Sequence, residues 1–260
     1  MHASQRKDEI VAMLQKRGFL AFRDLEKALS ASPATLRRDL DQLAKGGLLA
    51  RVHGGAKLIG DGAKGAPSGP HLAGVPFSEN VTQHLAEKEA IGRAAAGLCT
   101  VGEAVMIDGG STTLQMCPHV EGLNLQVLTN SLHIVNALLG QPGTRLSVPG
   151  GAIFPEQNII LSTGGDELMP RFHAPKLFMG CAAVGPHGIM QADVVLVAAE
   201  RRLIDRAEQI ILLVDSSKFG ASSGNVVCEL ADVDIVVTDS GIKAEHRAML
   251  KERKVRLIVA

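Results

Sequence analysis

The chain has 260 residues, of which 46% are hydrophobic and 3% aromatic, and its 27 basic side chains balance 27 acidic ones. This length holds one small and one full-sized domain, and no apolar run is long enough to span a bilayer. Without tryptophan or tyrosine, stacking of single-stranded bases on aromatic rings is disfavoured as a binding mode. The polar, charged first residues do not resemble a signal peptide, so we expect a cytoplasmic protein.

Cysteine and histidine positions argue against a metal or a disulfide framework. Cys99, Cys117, Cys181 and Cys228 are scattered and form no C-x-x-C pair. The nine histidines show no close ligand spacing either. We therefore expect reduced cysteines in the core, no metal site and no cofactor.

Charge divides the chain unevenly. Residues 1–60 carry 11 basic and 6 acidic side chains, a net charge of +5, so the remaining residues carry −5. A basic front on an acidic body is typical of a protein whose first domain binds nucleic acid.

The first 32 residues predict two short helices and a turn. A helix is expected from Ser4 to about Lys16, followed by an extended link at 19–22. Leu25, Ala28 and Leu29 then line a second helix, which leads into a tight turn. Three helices in this order, once the next one is added, match helix-turn-helix geometry.

The third helix carries the clearest start signal in the chain. Ser32 is a good N-cap and Pro33 suits the first helical position, where its missing N–H costs nothing. Leu36, Leu40 and Leu43 recur at i, i+4 and i+7 and predict one apolar stripe.

The opposite face of this helix is basic and carries small residues. Arg38 and Lys45 point away from the leucines, with Ala34 beside them and Thr35 and Arg37 on the flanks. Such a face fits the major groove, where arginine pairs with guanine edges. Read alone, two adjacent arginines more often belong to a solvated helix face.

A glycine-rich hairpin follows, carrying Arg51 and His53, and completes a predicted winged helix-turn-helix over residues 1–58. His53 either contacts DNA or serves only the geometry of the turn. The predicted DNA-contacting residues are Ser32, Ala34, Thr35, Arg37, Arg38, Lys45, Arg51 and His53.

This segment resembles a known family. Residues 6–58 are similar to the N-terminal domain of DeoR-family bacterial transcription regulators, including the Arg-Arg-Asp-Leu run at 37–40 and the Arg-x-His-Gly-Gly-Ala run at 51–56. The resemblance implies double-stranded operator DNA as a partner.

A stretch rich in glycine and proline predicts a linker at 59–75. Beyond it, in a domain spanning 76–260, apolar runs alternate with helical segments, which indicates an α/β fold with a mainly parallel sheet covered on both faces. Helices are predicted at about 87–98, 131–139 and 194–207. The predicted strands are 104–107, 125–128, 145–148, 177–184, 210–214, 235–237 and 255–259.

Ligands of parallel sheets collect at the carboxyl ends of the strands, and polar residues and glycines occur there in this sequence. After the first strand, residues 108–113 read Asp-Gly-Gly-Ser-Thr-Thr and open a predicted helix over 112–116. Backbone N–H groups and hydroxyls at such a turn suit an anion. The alternative is a structural turn capped by Ser111. The loop matches neither a Walker motif nor G-x-G-x-x-G, which disfavours a nucleotide.

Three further segments end strands in the same way. They are 128–131 (Leu-Thr-Asn-Ser), 149–151 (Pro-Gly-Gly) and 214–220, which contains Lys218. Lys218 either neutralises a phosphate or is an exposed loop lysine. Asp108 either accepts sugar hydroxyls or caps its loop, and Glu200 either faces the cleft or lies on a solvated turn.

Together these segments resemble the DeoR effector domain, which is similar in fold to sugar-phosphate isomerases and CoA transferases. Glu87-Lys88 ahead of a helix also matches, whereas Asn80 stands where the family usually has an arginine. The resemblance implies a phosphorylated sugar as effector, an analogy at the level of fold. The residues predicted to bind it are Asp108, Gly109, Gly110, Ser111, Thr112, Thr113, Thr129, Asn130, Ser131, Gly150, Gly151 and Lys218.

The sequence and this resemblance together predict a nucleoid-associated bacterial repressor of sugar-catabolism genes, released from its operator by a phosphorylated sugar or related metabolite. We expect a homo-oligomer, either a dimer or a tetramer, and no membrane partner and no catalysis. The alternative is a sugar-phosphate isomerase or transferase with an accessory DNA-binding head, in which Asp108, Glu200 and Lys218 form the acid/base set. An activator of the same architecture has the same sequence features.

Overall fold

The fold is taken from a computed structural model of the chain. The chain divides into two compact units, residues 1–69 and 70–260. The structure describes residues 6–7, 9–11, 13, 19–21, 25, 28–29, 31–45, 49–52, 55–58, 77–162 and 168–260. The predicted linker at 59–75 lies outside the described residues, so the predicted domain boundaries stay predictions.

The first unit contains helices and a small antiparallel sheet. Helical backbone is present at 6–7, 9–11 and 13, and again at Leu25 and Ala28. The remaining elements are strand β1 (Phe19–Ala21), helix α1 (Pro33–Lys45), strand β2 (Leu49–Val52) and strand β3 (Gly55–Leu58). The strands lie in the order β1-β3-β2, and both pairings are antiparallel. The predicted three helical segments and the hairpin are thus confirmed.

Helix α1 begins as its sequence indicates. The backbone N–H of Thr35 donates to the Ser32 hydroxyl at 3.2 Å, which satisfies one of the free donors of the first turn. Leu36, Leu40 and Leu43 are all buried and pack against the other helices of this unit. The predicted apolar stripe is confirmed.

Two features of this unit differ from, or add to, the prediction. Leu25 and Leu29 are buried, but Ala28 is exposed and does not line the apolar side of the second helix. Asp39, within the Arg-Arg-Asp-Leu run, points inward, where its carboxylate accepts a 2.5 Å hydrogen bond from Arg6. This buried ion pair joins the first helical segment to α1.

The second unit is built on a parallel sheet of seven strands, with the order β15-β14-β12-β9-β4-β5-β6. These strands are β4 (Ala104–Ile107), β5 (Gln126–Leu128), β6 (Arg145–Ser147), β9 (Ala174–Met179), β12 (Ala207–Leu213), β14 (Ile235–Thr238) and β15 (Arg256–Val259). Two smaller antiparallel sheets consist of β7 (Ala152–Phe154) with β8 (Ile159–Leu161), and of β10 (Ala183–Gly185), β11 (Gly188–Gln191) and β13 (Asn225–Cys228). The predicted α/β class with a mainly parallel sheet is confirmed.

Helices connect these strands. They are α2 (Phe77–Asn80), α3 (Leu85–Ala96), α4 (Leu132–Leu138), α5 (Val194–Ile204) and α6 (Ala244–Glu252), with short 3₁₀ helices at Thr113–His119, Ser216–Lys218 and Leu230–Asp232. Neighbouring residues of β9 and of β12 pack on opposite faces of the sheet. Leu177 and Leu212 belong to one apolar cluster, and Phe178 and Ile211 belong to the other. The sheet is therefore buried on both faces.

Two predicted elements are wrong in detail. The helix expected over 112–116 is a 3₁₀ helix, Thr113–His119, which contains Pro118. Proline lacks the N–H that an α-helix would bond to residue i−4, so the tighter turn is favoured. The single strand expected over 177–184 is two strands in different sheets, β9 and β10, separated by a break that begins at Gly180.

Six of the described helices and strands had no counterpart in the prediction, namely helices α2 and α6 and strands β7, β8, β11 and β13. All four cysteines are free thiols. Cys117 is buried, and the other three are half-buried and pack against the two apolar clusters. Within the described residues, no helix combines the length and apolarity needed to cross a membrane.

Candidate functional site

The first candidate site is the outward face of α1. Ala34, Arg37 and Arg38 are exposed, and Thr35 is partly exposed. The Ser32 hydroxyl lies 2.8 Å from the Thr35 hydroxyl, in addition to its bond with the Thr35 backbone, so Ser32 acts as the helix cap. The structure thus places the predicted helix residues on one accessible surface, opposite the buried leucines.

The remaining predicted DNA contacts belong to the helix end and the wing. Arg51 lies in β2 and pairs with Ala56 of β3, which confirms that the hairpin carries it. The side chains of Lys45 and Arg51, and all of His53, lie outside the described part of the chain. Their contacts with DNA stay predictions.

The second candidate site is a cavity of about 270 Å³ in the second unit. It lies where four adjacent strands of the parallel sheet, β12, β9, β4 and β5, reach their carboxyl ends. Each contributes the residues that follow it, including Lys218, Cys181, Asp108 and Asn130. The cavity is slightly smaller than the usual range for drug-sized ligands, about 300–1,000 Å³, and suits a molecule the size of a phosphorylated monosaccharide.

The loop after β4 is held in place by the loop after β5. The Asn130 amide donates to the Asp108 carboxylate at 3.0 Å, and its oxygen accepts from the Gly109 N–H at 2.8 Å. Asn130 therefore fixes both the acidic side chain and the backbone beside it. A Cβ at Gly109 would lie 2.7 Å from Ile159 and 3.1 Å from the Asn130 oxygen, so the loop packs this closely only around glycine.

Three of the predicted hydroxyl residues are committed to local hydrogen bonds. The Thr113 hydroxyl lies 2.8 Å from the Asp108 carbonyl oxygen, the Thr129 hydroxyl accepts from the Ser131 N–H at 3.1 Å, and the Ser131 hydroxyl accepts from Ile134 at 3.3 Å. They brace the loops and cap α4. Ser111 and Thr112, in contrast, line the cavity.

Gly151 has a packing role, whereas a Cβ at Gly150 would meet Leu168 at an ordinary contact distance of 3.4 Å. A Cβ at Gly151, whose φ is +158°, would lie 2.2 Å from the Leu161 carbonyl oxygen across the β7–β8 hairpin. Only glycine permits this approach. Neither glycine lines the cavity.

The cavity thus brings together seven of the predicted effector residues. They are Asp108, Gly109, Gly110, Ser111, Thr112, Asn130 and Lys218. The structure places the other five, Thr113, Thr129, Ser131, Gly150 and Gly151, outside the lining.

The cavity contains two buried carboxyl groups that influence each other. Burial raises the pKa of Asp108 to about 6, although hydrogen bonds from Asn130 and Gly109 oppose the shift. Burial also raises the pKa of Glu200 well above its ordinary value, with a further increase from the charge of Asp108. Lys218 lines the same cavity and adds a positive charge.

Sequence reasoning missed the wall formed by α2 and the turn after it. Phe77, Asn80 and Gln83 line the cavity. The Phe77 ring stacks on His133 with centroids 4.1 Å apart. The deeply buried Lys88 ammonium donates to the Asn80 carbonyl oxygen at 2.5 Å, and burial lowers the pKa of Lys88, while Asp215 opposes this shift. Buried lysines are rare, but sequence alone does not show this burial.

A second missed group comes from β11 and α5. Gln191, Ala199 and Glu200 line the cavity, together with Cys181. From the sequence, Glu200 either faces the cleft or lies on a solvated turn, and the structure places it in the cleft. One signal was available: Glu200 follows six apolar residues at the start of α5, and an acidic residue beside such a run favours a buried partner or ligand. Among the described residues, no cluster of histidine, cysteine and carboxylate side chains suits a metal ion.

Comparison with known families agrees with this arrangement. Residues 83–240 match the DeoR C-terminal sensor domain, and residues 6–61 match the DeoR-like helix-turn-helix domain. The chain belongs to the DeoR family. It is thus a DNA-binding transcriptional regulator with a sensor domain, and the cavity lies in the matched sensor domain.

Full-length relatives share the whole architecture. The transcriptional regulator UlaR of Shigella dysenteriae is 28% identical, over 99% of this chain and 99% of its own. The putative aga operon transcriptional repressor of Escherichia coli O157:H7 is also 28% identical, over 98% of this chain and 93% of its own. Both of these relatives are named as transcriptional regulators, and neither carries the name of an enzyme.

Among solved structures, ribose 5-phosphate isomerase A from Methanocaldococcus jannaschii overlaps with 51% of this chain and 53% of its own, at 15% identity and a TM-score of 0.37. The overlap is partial and says nothing about activity.

Proposed function

We propose that this DeoR-family regulator is a repressor whose operator binding is relieved by a phosphorylated sugar bound in the sensor cavity. The observation that carries the proposal is the cavity itself, with one cationic side chain, two hydroxyl residues and two carboxyl groups around about 270 Å³. Lys218 suits a phosphate, while Asp108 and Asn130 suit the hydroxyls of a sugar. The name of one relative, a putative aga operon transcriptional repressor, supports repression over activation.

DNA recognition is assigned to the exposed face of α1. We propose that Ala34, Thr35, Arg37 and Arg38 enter the major groove and that Ser32 orients the helix. Lys45, Arg51 and His53 would contact DNA from the helix end and the wing. If the DNA-binding unit neutralises about four phosphates, the logarithm of its affinity for B-DNA should fall with the logarithm of the salt concentration with a slope of about −3.6.

Operators of such proteins have paired half-sites, so we propose a homo-oligomer, a dimer or a tetramer, that works at the bacterial nucleoid in the cytoplasm. Light scattering of the purified chain, alone and with operator DNA, measures the number of subunits in the oligomer. A monomer in both states would contradict this part of the proposal.

Regulation requires that the sugar phosphate bind the DNA-free form more tightly than the DNA-bound form. A coupling of about 1–3 kcal/mol changes operator affinity five- to 150-fold. Without such a difference in affinity, a bound ligand shifts no population.

The test uses the full-length chain in two assays. Thermal unfolding is measured with ribose 5-phosphate, glucose 6-phosphate, fructose 6-phosphate, galactose 6-phosphate and glucosamine 6-phosphate. A ligand at 100 times its Kd stabilises the native state by about 2.7 kcal/mol. Fluorescence anisotropy then follows release of DNA from the region upstream of its own gene.

We expect at least one of these compounds to raise the unfolding temperature and to weaken DNA binding. Stabilisation without any effect on DNA would contradict the regulatory role of the cavity. If no DNA from the genomic neighbourhood is bound at low salt, the repressor assignment is wrong.

One observation favours a second function. Asp108 and Glu200 are buried carboxyls with raised pKa values in a cavity that also holds Lys218, and acid/base catalysis uses such groups. A sugar-phosphate isomerase or transferase with a DNA-binding head is therefore the alternative. Turnover of the same panel by the full-length chain decides between them: binding without turnover supports the regulator.

A further inference from the structure

Glu200 has one carboxylate oxygen that is paired and one that is not. Its Oε1 accepts a hydrogen bond from the Gln191 amide at 2.5 Å. Its Oε2 is buried and has no hydrogen-bond partner among the described residues. Glu200 is only 3% exposed and lines the cavity. A buried oxygen without a partner costs free energy, which a ligand recovers by completing the hydrogen bond.

The paired side of Glu200 is fixed by its surroundings. The Gln191 carbonyl oxygen accepts from the Ser223 hydroxyl at 2.6 Å and from the Asn225 amide at 3.3 Å. These contacts hold the end of β11, and with it the amide that binds Oε1. Because Gln191 occupies this oxygen, Oε2 is the atom of Glu200 left for a ligand.

The charged groups around Glu200 limit what the ligand can present. Asp108, on the loop after β4, makes ionisation of Glu200 harder, and Lys218 lines the cavity from the loop after β12. The neighbouring thiols are Cys181 and Cys228, whose own pKa values are raised by burial and further by the Glu200 charge. A phosphate dianion beside two carboxyl groups is repelled when they ionise.

A hydroxyl group matches Glu200 in either protonation state. It donates to an ionised Oε2 and accepts from a protonated one. An ammonium group matches only the ionised carboxylate, and a carbonyl oxygen matches only the protonated acid. A hydroxyl is therefore the partner that the site accommodates whether Glu200 is ionised or protonated.

We propose that Glu200 is a specificity-determining residue of the sensor cavity, and that its Oε2 hydrogen-bonds one hydroxyl of the effector, at a position away from the phosphate. This inference rests on the proposed function, since it takes a phosphorylated sugar as the ligand. It adds that the cavity recognises a particular hydroxyl and rejects the analogue that lacks it.

The experiment measures Kd by calorimetry on the full-length chain. The probes are the members of the sugar-phosphate panel above that bind the wild type, each compared with its 3-deoxy analogue, with its 2-deoxy analogue for aldoses and with its 4-deoxy analogue for hexoses. The variants are Glu200→Ala, Glu200→Gln and Glu200→Met, with the exposed Glu252→Gln as matched control. Methionine nearly fills the volume of glutamate, so a cavity does not account for its effect.

In the wild type and in Glu252→Gln, we expect one deoxy analogue to bind at least about 10-fold more weakly than its parent. In Glu200→Ala and Glu200→Met, parent and analogue should bind within about 3-fold of each other, since the group that distinguishes them is gone. Glu200→Gln retains a hydrogen-bonding terminus and should keep most of the discrimination.

Three results overturn the inference. If Glu200→Met discriminates as well as the wild type, Glu200 does not read the hydroxyl. If glucosamine 6-phosphate binds more tightly than glucose 6-phosphate and Glu200→Gln removes this preference, Oε2 binds an ammonium instead. If no member of the panel binds the wild type, the proposed effector class fails and the role of Glu200 fails with it.

Discussion

The two units of this protein place the side chains that we propose to be functional in opposite environments. In the first unit, Ala34, Arg37 and Arg38 are exposed on a regular helix whose leucines form the core. In the second unit, Asp108 is buried just after the end of β4, and Glu200 is buried within helix α5. In the first unit, the residues that stabilise the fold and those proposed to bind DNA therefore lie on separate faces of one helix. In the sensor, the same buried side chains affect both the stability of the fold and the binding of the ligand. The predictions below test that difference.

The largest effect is expected from Leu36→Ala. Leu36 is fully buried in the first unit, and truncation of a buried leucine costs about 2–5 kcal/mol. DNA binding should be lost or strongly weakened, while binding of a sugar phosphate to the sensor cavity should persist. Anisotropy with operator DNA and calorimetry with the bound sugar phosphate measure the two properties. Equal loss of both would show that stability and function are not separable between the units.

Arg38→Ala is expected to weaken operator binding by about 1–3 kcal/mol. The free energy of unfolding should not change, because Arg38 is exposed. Arg38→Lys is the matched control, since it keeps the charge but not the bidentate geometry. If Arg38 reads a base, both variants relax the sequence preference. If only the salt slope falls, by about 1, Arg38 contacts a phosphate.

Asp108→Asn is expected to stabilise the folded chain at pH 8, by about 1–3 kcal/mol, while weakening binding of the sugar phosphate. The folded pKa of Asp108 is raised to about 6 from 3.8. The unfolded chain therefore loses its proton first, and stability falls as pH rises from about 4 through about 6. Loss of the Asp108 charge also removes a cause of the raised pKa of Glu200.

Chemical denaturation at pH 4 and pH 8 measures this effect. The difference between wild type and Asp108→Asn should be small at pH 4 and largest at pH 8, and Glu252→Gln should show no such trend. A variant that is less stable at pH 8 than the wild type would show that Asp108 stabilises the sensor, against the comparison made above.

The smallest effect is expected from two cap variants, one in each unit. Ser32→Ala removes the acceptor of the Thr35 N–H, and Ser131→Ala removes that of the Ile134 N–H. Each cap is worth about 1 kcal/mol. Because Ser32 is exposed and Ser131 is 1% exposed, water replaces the lost acceptor only in the first unit. Chemical denaturation should therefore show the larger loss for Ser131→Ala, and equal losses would contradict this reasoning.

The sequence predicted best what depends on local patterns. The cap at Ser32 and the leucine stripe of α1 are encoded within a dozen residues, and β4 has the bounds that its apolar run indicates. The clustering of Asp108, Asn130 and Lys218 was also predictable, because the carboxyl ends of parallel strands meet at one edge of a sheet. These residues all line the cavity.

What the sequence did not predict depends on contacts between distant segments. Gln191 reaches the cavity from the end of a strand in a separate antiparallel sheet, and Asn80 from a four-residue helix without periodicity. Gly180 indicated a break within 177–184, but the residues on both sides of it are apolar, so the segment was predicted as one strand. Hydroxyl residues such as Thr113 and Ser131 matched the expected composition of a site, although their hydrogen bonds serve the loops.

The wall formed by Phe77 and Asn80 is also the part of the sensor that comes first along the chain. Both residues line the space that a metabolite would fill, and α2 is the first element of the second unit that the structure describes. A ligand in the cavity therefore touches the described segment of the sensor that stands closest in sequence to the DNA-binding unit.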